Sequence, residues 1–322
     1  MHYSFDATPD RTANINGEEF LFFSGYSYLG MQSVPAFKEL LKEGIEKYGL
    51  LFPSSRITNT RLKLFEEAES LLASFTGMED CVLVNSGYTA GRIATSTFAN
   101  ELINLSPSHP AIQRKNTKEN SSVFAVDAVE TLTANITDFD FINDQKVNTL
   151  IVDDSHGIGI IGNNGEGIIT KLRNNSSTDL ILTFSLSKAF HINAGAICCE
   201  KNHAGLYRQQ YAYTAATPPS PAMLYAFIHA QHLYKQQLAI LKNNMQYFQQ
   251  LIKNLPVHFN AELPVFILPS SLNEAELYNQ KIIISSFAYP NINGTKYNRI
   301  VLSALHTKED MERLAVCLKN IL

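Results

Sequence analysis

The sequence predicts an α/β protein with a mainly parallel central sheet and a smaller α+β domain. Short apolar runs alternate with helical patterns between residues 35 and 199, as in parallel sheets with crossover helices. Further strand-like runs and a closing helical pattern follow after residue 264. The length of 322 residues suits about two domains and allows a sizeable buried core.

The N-terminal elements follow from turn residues and apolar spacing. Residues 15–30 predict a short hairpin followed by a turn. Apolar residues recur at helical spacing over residues 35–48 and again over 62–75, which predicts two helices. Gly77 follows the second pattern and predicts its end.

Four buried strands are predicted in the middle of the chain, each from a short apolar run. Residues 106–122, between the first and the second run, are polar and contain Pro, Asn and Ser, which predicts a loop. The four runs cover residues 81–84, 148–152, 180–184 and 195–199.

The C-terminal part predicts one long helix, three strands and a closing helix. From this organisation we expect a large domain at residues 50–222, and a small domain at 1–49 and 223–322 that includes an N-terminal arm. The long helix covers residues 221–255, the strands 265–268, 282–284 and 299–302, and the closing helix 308–322.

Composition narrows the partners and the compartment. The net charge of −4 and the pI of about 6.1 give no reason to expect nucleic acid or an anionic membrane as a partner. The polar first ten residues lack a signal peptide's apolar core, and no apolar stretch approaches the ~20 residues of a transmembrane helix. Four cysteines without metal-type spacing predict no metal site, and we expect a cytoplasmic protein.

Three motifs come directly after predicted strands, where ligands collect in open α/β sheets. The first, Asn85-Ser86-Gly87-Tyr88, is a turn into a helix, and main-chain N–H groups at a helix start can hold a phosphate. Most turns of this composition bind nothing, so the motif alone does not establish a site.

The second motif is Val152-Asp153-Asp154-Ser155-His156-Gly157. A carboxylate at a strand end, backed by a histidine, can pair with a protonated heterocyclic nitrogen; the alternative is a helix cap or turn aspartate. Residues 157–162 also spell GxGxxG, but they lead into Asn163-Asn164-Gly165 rather than a helix, so we reject a dinucleotide site.

The third motif, residues 183–190, places Lys188 just after a strand among hydroxyl residues. A buried lysine must lose its charge or find a partner, because burial disfavours the charged form. Schiff-base chemistry requires a neutral amine. A surface lysine in a serine-rich loop is the alternative. The three motifs together, in this order, favour a cofactor site over an empty turn, a capping aspartate and a surface lysine that occur independently.

With these motifs the sequence resembles the α-oxoamine synthases, pyridoxal-phosphate (PLP) enzymes that include 8-amino-7-oxononanoate synthase and glycine C-acetyltransferase. The resemblance covers most of the chain and implies the aspartate-aminotransferase fold (fold type I). Its segments are Tyr28-Leu29-Gly30, Ser54-Ser55-Arg56, Asn85-Ser86-Gly87-Tyr88, residues 152–157, Ser185-Leu186-Ser187-Lys188, residues 213–219 and Ser303-Ala304-Leu305-His306-Thr307.

The resemblance implies a role for each matching residue. Lys188 would hold PLP as a Schiff base, Asp153 would pair with the pyridine nitrogen, and His156 would lie near the cofactor's phenolic oxygen. His109 would stack on one face of the ring and Ser155 would lie on the other. The phosphate would be held by Ser86, Gly87, Tyr88 and Ser185, with Thr214 reaching the phosphate of a second subunit in a homodimer with a shared active site.

Two departures affect the substrate. Tyr26 and Tyr297 stand where the family has an Asn and an Arg that grip the amino-acid carboxylate. Arg299, Arg56 and Lys296 are the remaining candidates. Strand alternation puts Arg299 on the same face as Tyr297 and Lys296 on the other.

The chain is also shorter than the family members, chiefly between His109 and Asp153. In this segment Asp127 is only a weak match for the glutamate of the family's T-E-[GS] segment.

The leading hypothesis is a biosynthetic PLP-dependent acyltransferase, similar to a biotin-synthesis enzyme, that condenses an amino acid with an acyl-CoA or acyl-carrier thioester and releases CO2. One alternative is an aminotransferase or decarboxylase with a rebuilt substrate site, since Tyr26 and Tyr297 suit an amine without a carboxylate. The other is a PLP-binding homologue without turnover.

Overall fold

The computed structural model describes residues 3–105, 108–114, 121–172, 178–289 and 291–322. Its strands are β1 (Thr12–Ile15), β2 (Glu18–Phe23), β3 (Asp80–Val84), β4 (Leu102–Asn104), β5 (Val123–Asp127), β6 (Val129–Glu130), β7 (Asn135–Ile136), β8 (Thr149–Asp153), β9 (Asp179–Ser185), β10 (Gly195–Cys199), β11 (His258–Phe259), β12 (Val265–Leu268), β13 (Ile282–Tyr289) and β14 (Thr295–Val301). Its helices are α1 (Pro35–Tyr48), α2 (Lys63–Thr76), α3 (Gly87–Ser96), α4 (Phe141–Asp144), α5 (Ile169–Leu172), α6 (Lys201–Tyr207), α7 (Tyr211–Thr214), α8 (Pro221–His229), α9 (Gln231–Ile252), α10 (Glu274–Asn279) and α11 (Lys308–Ile321).

The chain forms two compact units. The larger comprises Pro35–Glu130 and Ile136–Leu233, and the smaller Met1–Val34, Thr131–Asn135 and Tyr234–Leu322. These bounds differ from the predicted 49/50 and 222/223 because α1 packs against α8 within the larger unit. A Cβ atom on Gly44 of α1 would lie 2.6 Å from the carbonyl oxygen of Ala222.

The larger unit contains a six-stranded sheet in the order β3-β10-β9-β8-β5-β4. The strands β9, β8, β5 and β4 are mutually parallel, and β10 runs antiparallel to both of its neighbours. The prediction of a mainly parallel sheet is confirmed. Because β3 runs in the same direction as β9, the carboxyl ends of β3, β9, β8 and β5 all lie at one edge.

Several predicted elements match the structure, and one is wrong. The helix predicted at 35–48 is α1, and the strand predicted at 195–199 is β10. The long helix predicted at 221–255 is two helices, because Ala230 leaves helical geometry and its carbonyl accepts a tight-turn hydrogen bond from Leu233 N at 2.8 Å. None of the helices in the described ranges is both long and apolar enough to cross a membrane.

The polar segment predicted as a loop is only partly described. Residues 108–114 and 121–122 contain no helix or strand, whereas 106–107 and 115–120 lie outside the described residues. The segments on either side of it carry β4 and β5, which were not predicted.

The smaller unit contains a second six-stranded sheet, in the order β1-β2-β13-β14-β12-β11. β1 and β2 form the predicted hairpin, and its turn residues Asn16 and Gly17 have φ values of 53° and 78°. Positive φ at both positions is typical of a two-residue hairpin turn, which explains the Asn-Gly pair.

His306 is a buried histidine of the smaller unit with both ring nitrogens engaged. Its Nδ1 accepts a hydrogen bond from Ser303 N at 3.0 Å, and its Nε2 lies 3.1 Å from the carbonyl oxygen of Phe22. An accepting Nδ1 requires the neutral ring with the proton on Nε2. Burial lowers the pKa of His306 to about 4, while the hydrogen bond to Phe22 opposes this shift.

We expect this histidine to make the protein less stable in mild acid. Its pKa falls from ~6.5 in the unfolded chain to about 4 in the folded chain, so its contribution is complete above pH ~6.5 and is lost as the pH falls towards about 4. The loss between about pH 7 and pH 5 is about 2 kcal/mol, measured as the free energy of unfolding in urea.

The matched variants are His306→Gln and His232→Gln, the second at an exposed position on α9. The change at His306 should remove this part of the pH dependence, and the change at His232 should leave it. Equal slopes in wild type and His306→Gln between pH 7 and pH 5 would contradict the assignment.

Candidate active site

The turn after β3 is built as a helix start. Ser86 is the N-cap of α3, and its Oγ accepts a hydrogen bond from Thr89 N at 3.1 Å. The Thr89 hydroxyl in turn donates to Asn85 Oδ1 at 2.7 Å. These contacts fix the first turn of a ten-residue helix whose N-terminal N–H groups favour an anion.

Three main chains approach closely beside this turn. A Cβ atom on Gly195 would lie 2.2 Å from the carbonyl oxygen of Ser86, and one on Gly87 would lie 2.6 Å from Cβ of Ser185. The ends of β3 and β9 and the start of β10 therefore meet where only glycine fits. Ser185 is thereby placed against the start of α3.

The end of β8 carries the predicted acidic residue. Asp153 is 7% exposed, and its Oδ1 accepts a hydrogen bond from Ser155 N at 3.0 Å. Ser155 is also buried, and its Oγ accepts from Ser185 N at 2.9 Å. Two of the three motifs are thus joined by a direct hydrogen bond between the strand ends.

The neighbouring Asp154 has a structural environment. Its side chain is fully buried, its Oδ2 accepts from Ile168 N at 2.8 Å, and burial raises the pKa of this carboxyl well above its usual value. Cβ atoms on Gly157 and Gly167 would lie 2.1 and 2.0 Å from its two oxygens. Gly157, the first glycine of GxGxxG, and Gly167 therefore lie against the buried carboxyl group of Asp154, and residues 157–162 form turns and bends rather than a helix.

His109 lies beside the carboxylate of Asp153. Its Nδ1 accepts a hydrogen bond from Ala111 N at 3.2 Å and lies 3.9 Å from Asp153 Oδ2, so this contact is not an ion pair. Partial desolvation lowers the pKa of His109, Asp153 raises it and Lys188 lowers it. The ring is therefore neutral, with its proton on Nε2, near neutral pH.

Asp127 was not predicted at this site. It ends β5 in register with Asp153 on β8, and its two carboxylate oxygens accept from His109 N at 3.1 and 2.9 Å. Burial and then the charge of Asp153 raise the pKa of Asp127 to about 7, although the His109 hydrogen bond and Lys188 oppose the shift. The sequence signals were a carboxylate directly after the apolar run 123–126 and a weak match to the glutamate of the family's T-E-[GS] segment.

The remaining predicted cofactor residues belong to the same unit. Lys188 and His156 are half-buried, and the charge of Lys188 acts on both His109 and Asp127. Tyr88 is exposed. Thr214 ends the short helix α7, where its hydroxyl donates to the carbonyl oxygen of Gln210 at 3.2 Å.

Arg56, a substrate candidate, is held by its own unit. Its side chain is only 9% exposed, and Nη1 donates to the Tyr213 hydroxyl at 2.6 Å and lies 3.5 Å from Glu69 Oε1. The guanidinium also stacks on the rings of Phe65 and Tyr213. These contacts give Arg56 a structural anchor that the sequence did not predict.

The other substrate candidates belong to the smaller unit. The predicted alternation of β14 is present: Arg299 and Tyr297 both lie against Phe287, whereas Lys296 is on the other face, with its Nζ 3.3 Å from the carbonyl oxygen of Leu272. Tyr26 is 51% exposed.

The surroundings of Arg299 suit an anion. Its Nη1 donates to the carbonyl oxygen of Thr131 at 3.4 Å, and its buried Nε has no hydrogen-bond partner among the described residues. Burial lowers the pKa of Arg299, and the nearby Tyr28 raises it.

Comparison with known proteins confirms the predicted resemblance to the α-oxoamine synthases. No family model matches the chain. The chain is 27% identical to 8-amino-7-oxononanoate synthase of Petrotoga mobilis, over 93% of this chain and 87% of that protein. It is 25% identical to the enzyme of that name from Buchnera aphidicola, over 95% and 90% of the two chains.

Solved structures confirm the predicted fold, that of the PLP-dependent transferases of fold type I. The structure matches serine palmitoyltransferase of Sphingomonas wittichii with a TM-score of 0.83 at 18% identity, over 99% of this chain and 91% of that one. It matches 8-amino-7-oxononanoate synthase of Francisella tularensis with a TM-score of 0.77 at 22% identity, over 94% and 98%.

We expect Gly195→Ala to lower the free energy of unfolding by about 3 kcal/mol, because the added methyl group would overlap the main chain at Ser86. Gly205→Ala is the matched control: it lies within α6 and its Cβ would meet nothing within 4 Å. That variant should gain about 0.5–1 kcal/mol from helix propensity. Urea unfolding of both variants tests this, and a Gly195→Ala protein as stable as wild type would contradict the close approach.

Proposed function

We propose that the chain is a PLP-dependent acyltransferase resembling 8-amino-7-oxononanoate synthase, which condenses an amino acid with an acyl thioester and releases CO2. The observation that carries this proposal is the convergence of Ser86, Asp153 and Lys188 at the carboxyl edge of one sheet. The relatives' names and the fold support the reaction class. The individual residue roles below are part of the proposal.

The donor set fits PLP group by group. The start of α3, with Ser86, Gly87, Tyr88 and Ser185, offers N–H and hydroxyl donors to a phosphate. The buried carboxylate of Asp153 needs a cationic partner, which a protonated pyridine nitrogen would supply. Lys188 supplies the amine that would hold the cofactor's aldehyde carbon, with His109 and Ser155 beside the ring and His156 near its phenolic oxygen.

PLP supplies an electron sink for the bonds broken at the substrate's α-carbon. The carboxylate of Asp153 would keep the ring nitrogen protonated. The Nζ of Lys188 would be the base that moves a proton at the substrate's α-carbon. Lys188 and Asp153 both act electrostatically on His109 and on Asp127, with opposite signs, which supports placing the amine in the same site.

Arg299 is the better candidate for the substrate carboxylate. Each guanidinium has one buried nitrogen without a hydrogen-bond partner among the described residues, Nη2 in Arg56 and Nε in Arg299. Nη1 of Arg56, however, already has the Tyr213 hydroxyl and the Glu69 carboxylate as partners, whereas Nη1 of Arg299 makes only a long hydrogen bond to a carbonyl group. Burial on the ring of Phe287 would strengthen a charge-assisted bond to a carboxylate. Tyr26 and Tyr297 would then border the substrate through their hydroxyl groups.

A homodimer and a cytoplasmic location complete the proposal. The larger unit exposes several large apolar side chains, which a second subunit would cover. Thr214 would reach the phosphate site of the second subunit. The four cysteines are unpaired, as a reducing compartment allows. The exposed side chains are Leu50 (58%), Leu51 (68%), Ile57 (70%), Tyr88 (54%) and Tyr211 (86%).

The visible absorption spectrum of the purified protein with added PLP tests the proposal. We expect a cofactor band that Lys188→Ala removes and that Lys201→Ala, at an exposed position on α6, leaves unchanged. Alanine, glycine or serine should shift the band, and addition of an acyl-CoA should then release CO2.

Two other outcomes would contradict the proposal at different levels. A band that no α-amino acid perturbs would exclude the synthase reaction and favour a transferase or decarboxylase acting on another amine. Absence of any band with PLP present would exclude the cofactor itself.

A further inference from the structure

Asp127 stands beside Asp153 through the sheet itself. The two residues are in register on the parallel neighbours β5 and β8, and side chains in register point to the same face. Two hydrogen bonds to main-chain carbonyl oxygens hold the end of β5. The Thr137 hydroxyl donates to the carbonyl oxygen of Asp127 at 2.6 Å, and Ala128 N donates to the carbonyl oxygen of Asp153 at 2.9 Å. The main chain that carries the Asp127 carboxylate is therefore held in place.

The partner of that acceptor is the main chain of His109. Both oxygens of Asp127 accept from His109 N, at 3.1 and 2.9 Å. The His109 ring is fixed from its other end, since Nδ1 accepts from Ala111 N at 3.2 Å. With its main chain and its ring nitrogen both held, the imidazole stays 3.9 Å from the Asp153 carboxylate.

We propose that Asp127 is a positioning residue of the cofactor site: its carboxylate anchors the main chain at His109 and so holds the imidazole beside Asp153. This inference rests on the proposed PLP function, because the ring of His109 would lie against the cofactor. Asp127 itself has no proposed contact with the cofactor.

The charges around Asp127 also make its ionisation sensitive to the binding of a cation beside Asp153. Asp153 and Glu130 disfavour the ionised carboxylate, whereas the His109 N–H and Lys188 favour it. Burial is the largest cause of its raised pKa of about 7. A cation paired with Asp153, as a protonated pyridine ring would be, offsets the repulsion between the two carboxylates. Binding of PLP and ionisation of Asp127 are therefore linked, and affinity rises as the pH rises towards 7.

A double-mutant cycle on the dissociation constant of PLP tests the positioning role. Asp127→Ala removes the acceptor, and His109→Ala removes the ring but keeps the main-chain donor. We expect Asp127→Ala to weaken PLP binding about tenfold in the wild-type background and less than about twofold in the His109→Ala background. The exposed Asp140→Asn is the control and should leave binding unchanged. An equal loss in both backgrounds would overturn the role through His109.

Asp127→Asn tests the charge separately, since its amide oxygen still accepts from His109 N. Between about pH 6 and pH 8, we expect wild-type affinity for PLP to rise about tenfold more than that of Asp127→Asn, given a pKa of about 7 in the free protein. Parallel pH profiles would overturn the linkage. Wild type that binds no PLP would refute the proposed function, whereas wild type and Asp127→Ala with equal affinity would refute only this inference.

Discussion

The site depends on the close approach of three main chains at the carboxyl edge of the larger unit's sheet. Gly87 and Gly195 leave no space for a Cβ atom against Ser185 and Ser86. The antiparallel strand β10 lies between β3 and β9, and its first residue, Gly195, allows the start of α3 to lie next to the end of β9. Hydrogen bonds extend from this junction towards the proposed ring site, because Ser185 N donates to Ser155 Oγ and Ser155 N donates to Asp153 Oδ1.

Electrostatics then follow from the order of the strands. β8 and β5 end side by side with Asp153 and Asp127, which puts two carboxylates at neighbouring positions of a mostly buried edge. Of two neighbouring carboxylates, one ionises more easily when the other is protonated, because the repulsion between two negative charges is then absent. Asp153 is the member that Ser155 N stabilises, and Asp127 is the member whose pKa is raised.

Much of this arrangement could be predicted from sequence. Apolar periodicity predicted α1, and the short run at 195–199 predicted β10, because both signals are local. Lys188, Asp153 and Ser86 were candidates because their motifs come after predicted strands, and the family resemblance then implied a role for each. The role of Asp127 could not be predicted, since it arises from the register between β5 and β8, which no local pattern encodes. The structural anchoring of Arg56 could not be predicted either, because its contacts with Glu69 and Tyr213 join residues far apart in the chain. The sequence therefore left Arg56 as a candidate for the substrate carboxylate.

The break between α8 and α9 was missed for a related reason. The apolar pattern continues through Ala230, so it gives no sign that this single residue leaves helical geometry.

The central claim is that Lys188 carries the cofactor. The most direct test reduces the PLP-loaded protein with borohydride, digests it and locates the modified residue by mass spectrometry. We expect a stable pyridoxyl adduct on the peptide containing Lys188 and on no other lysine peptide. An adduct confined to another lysine, or no lysine adduct in protein whose visible band disappears on reduction, would contradict the claim.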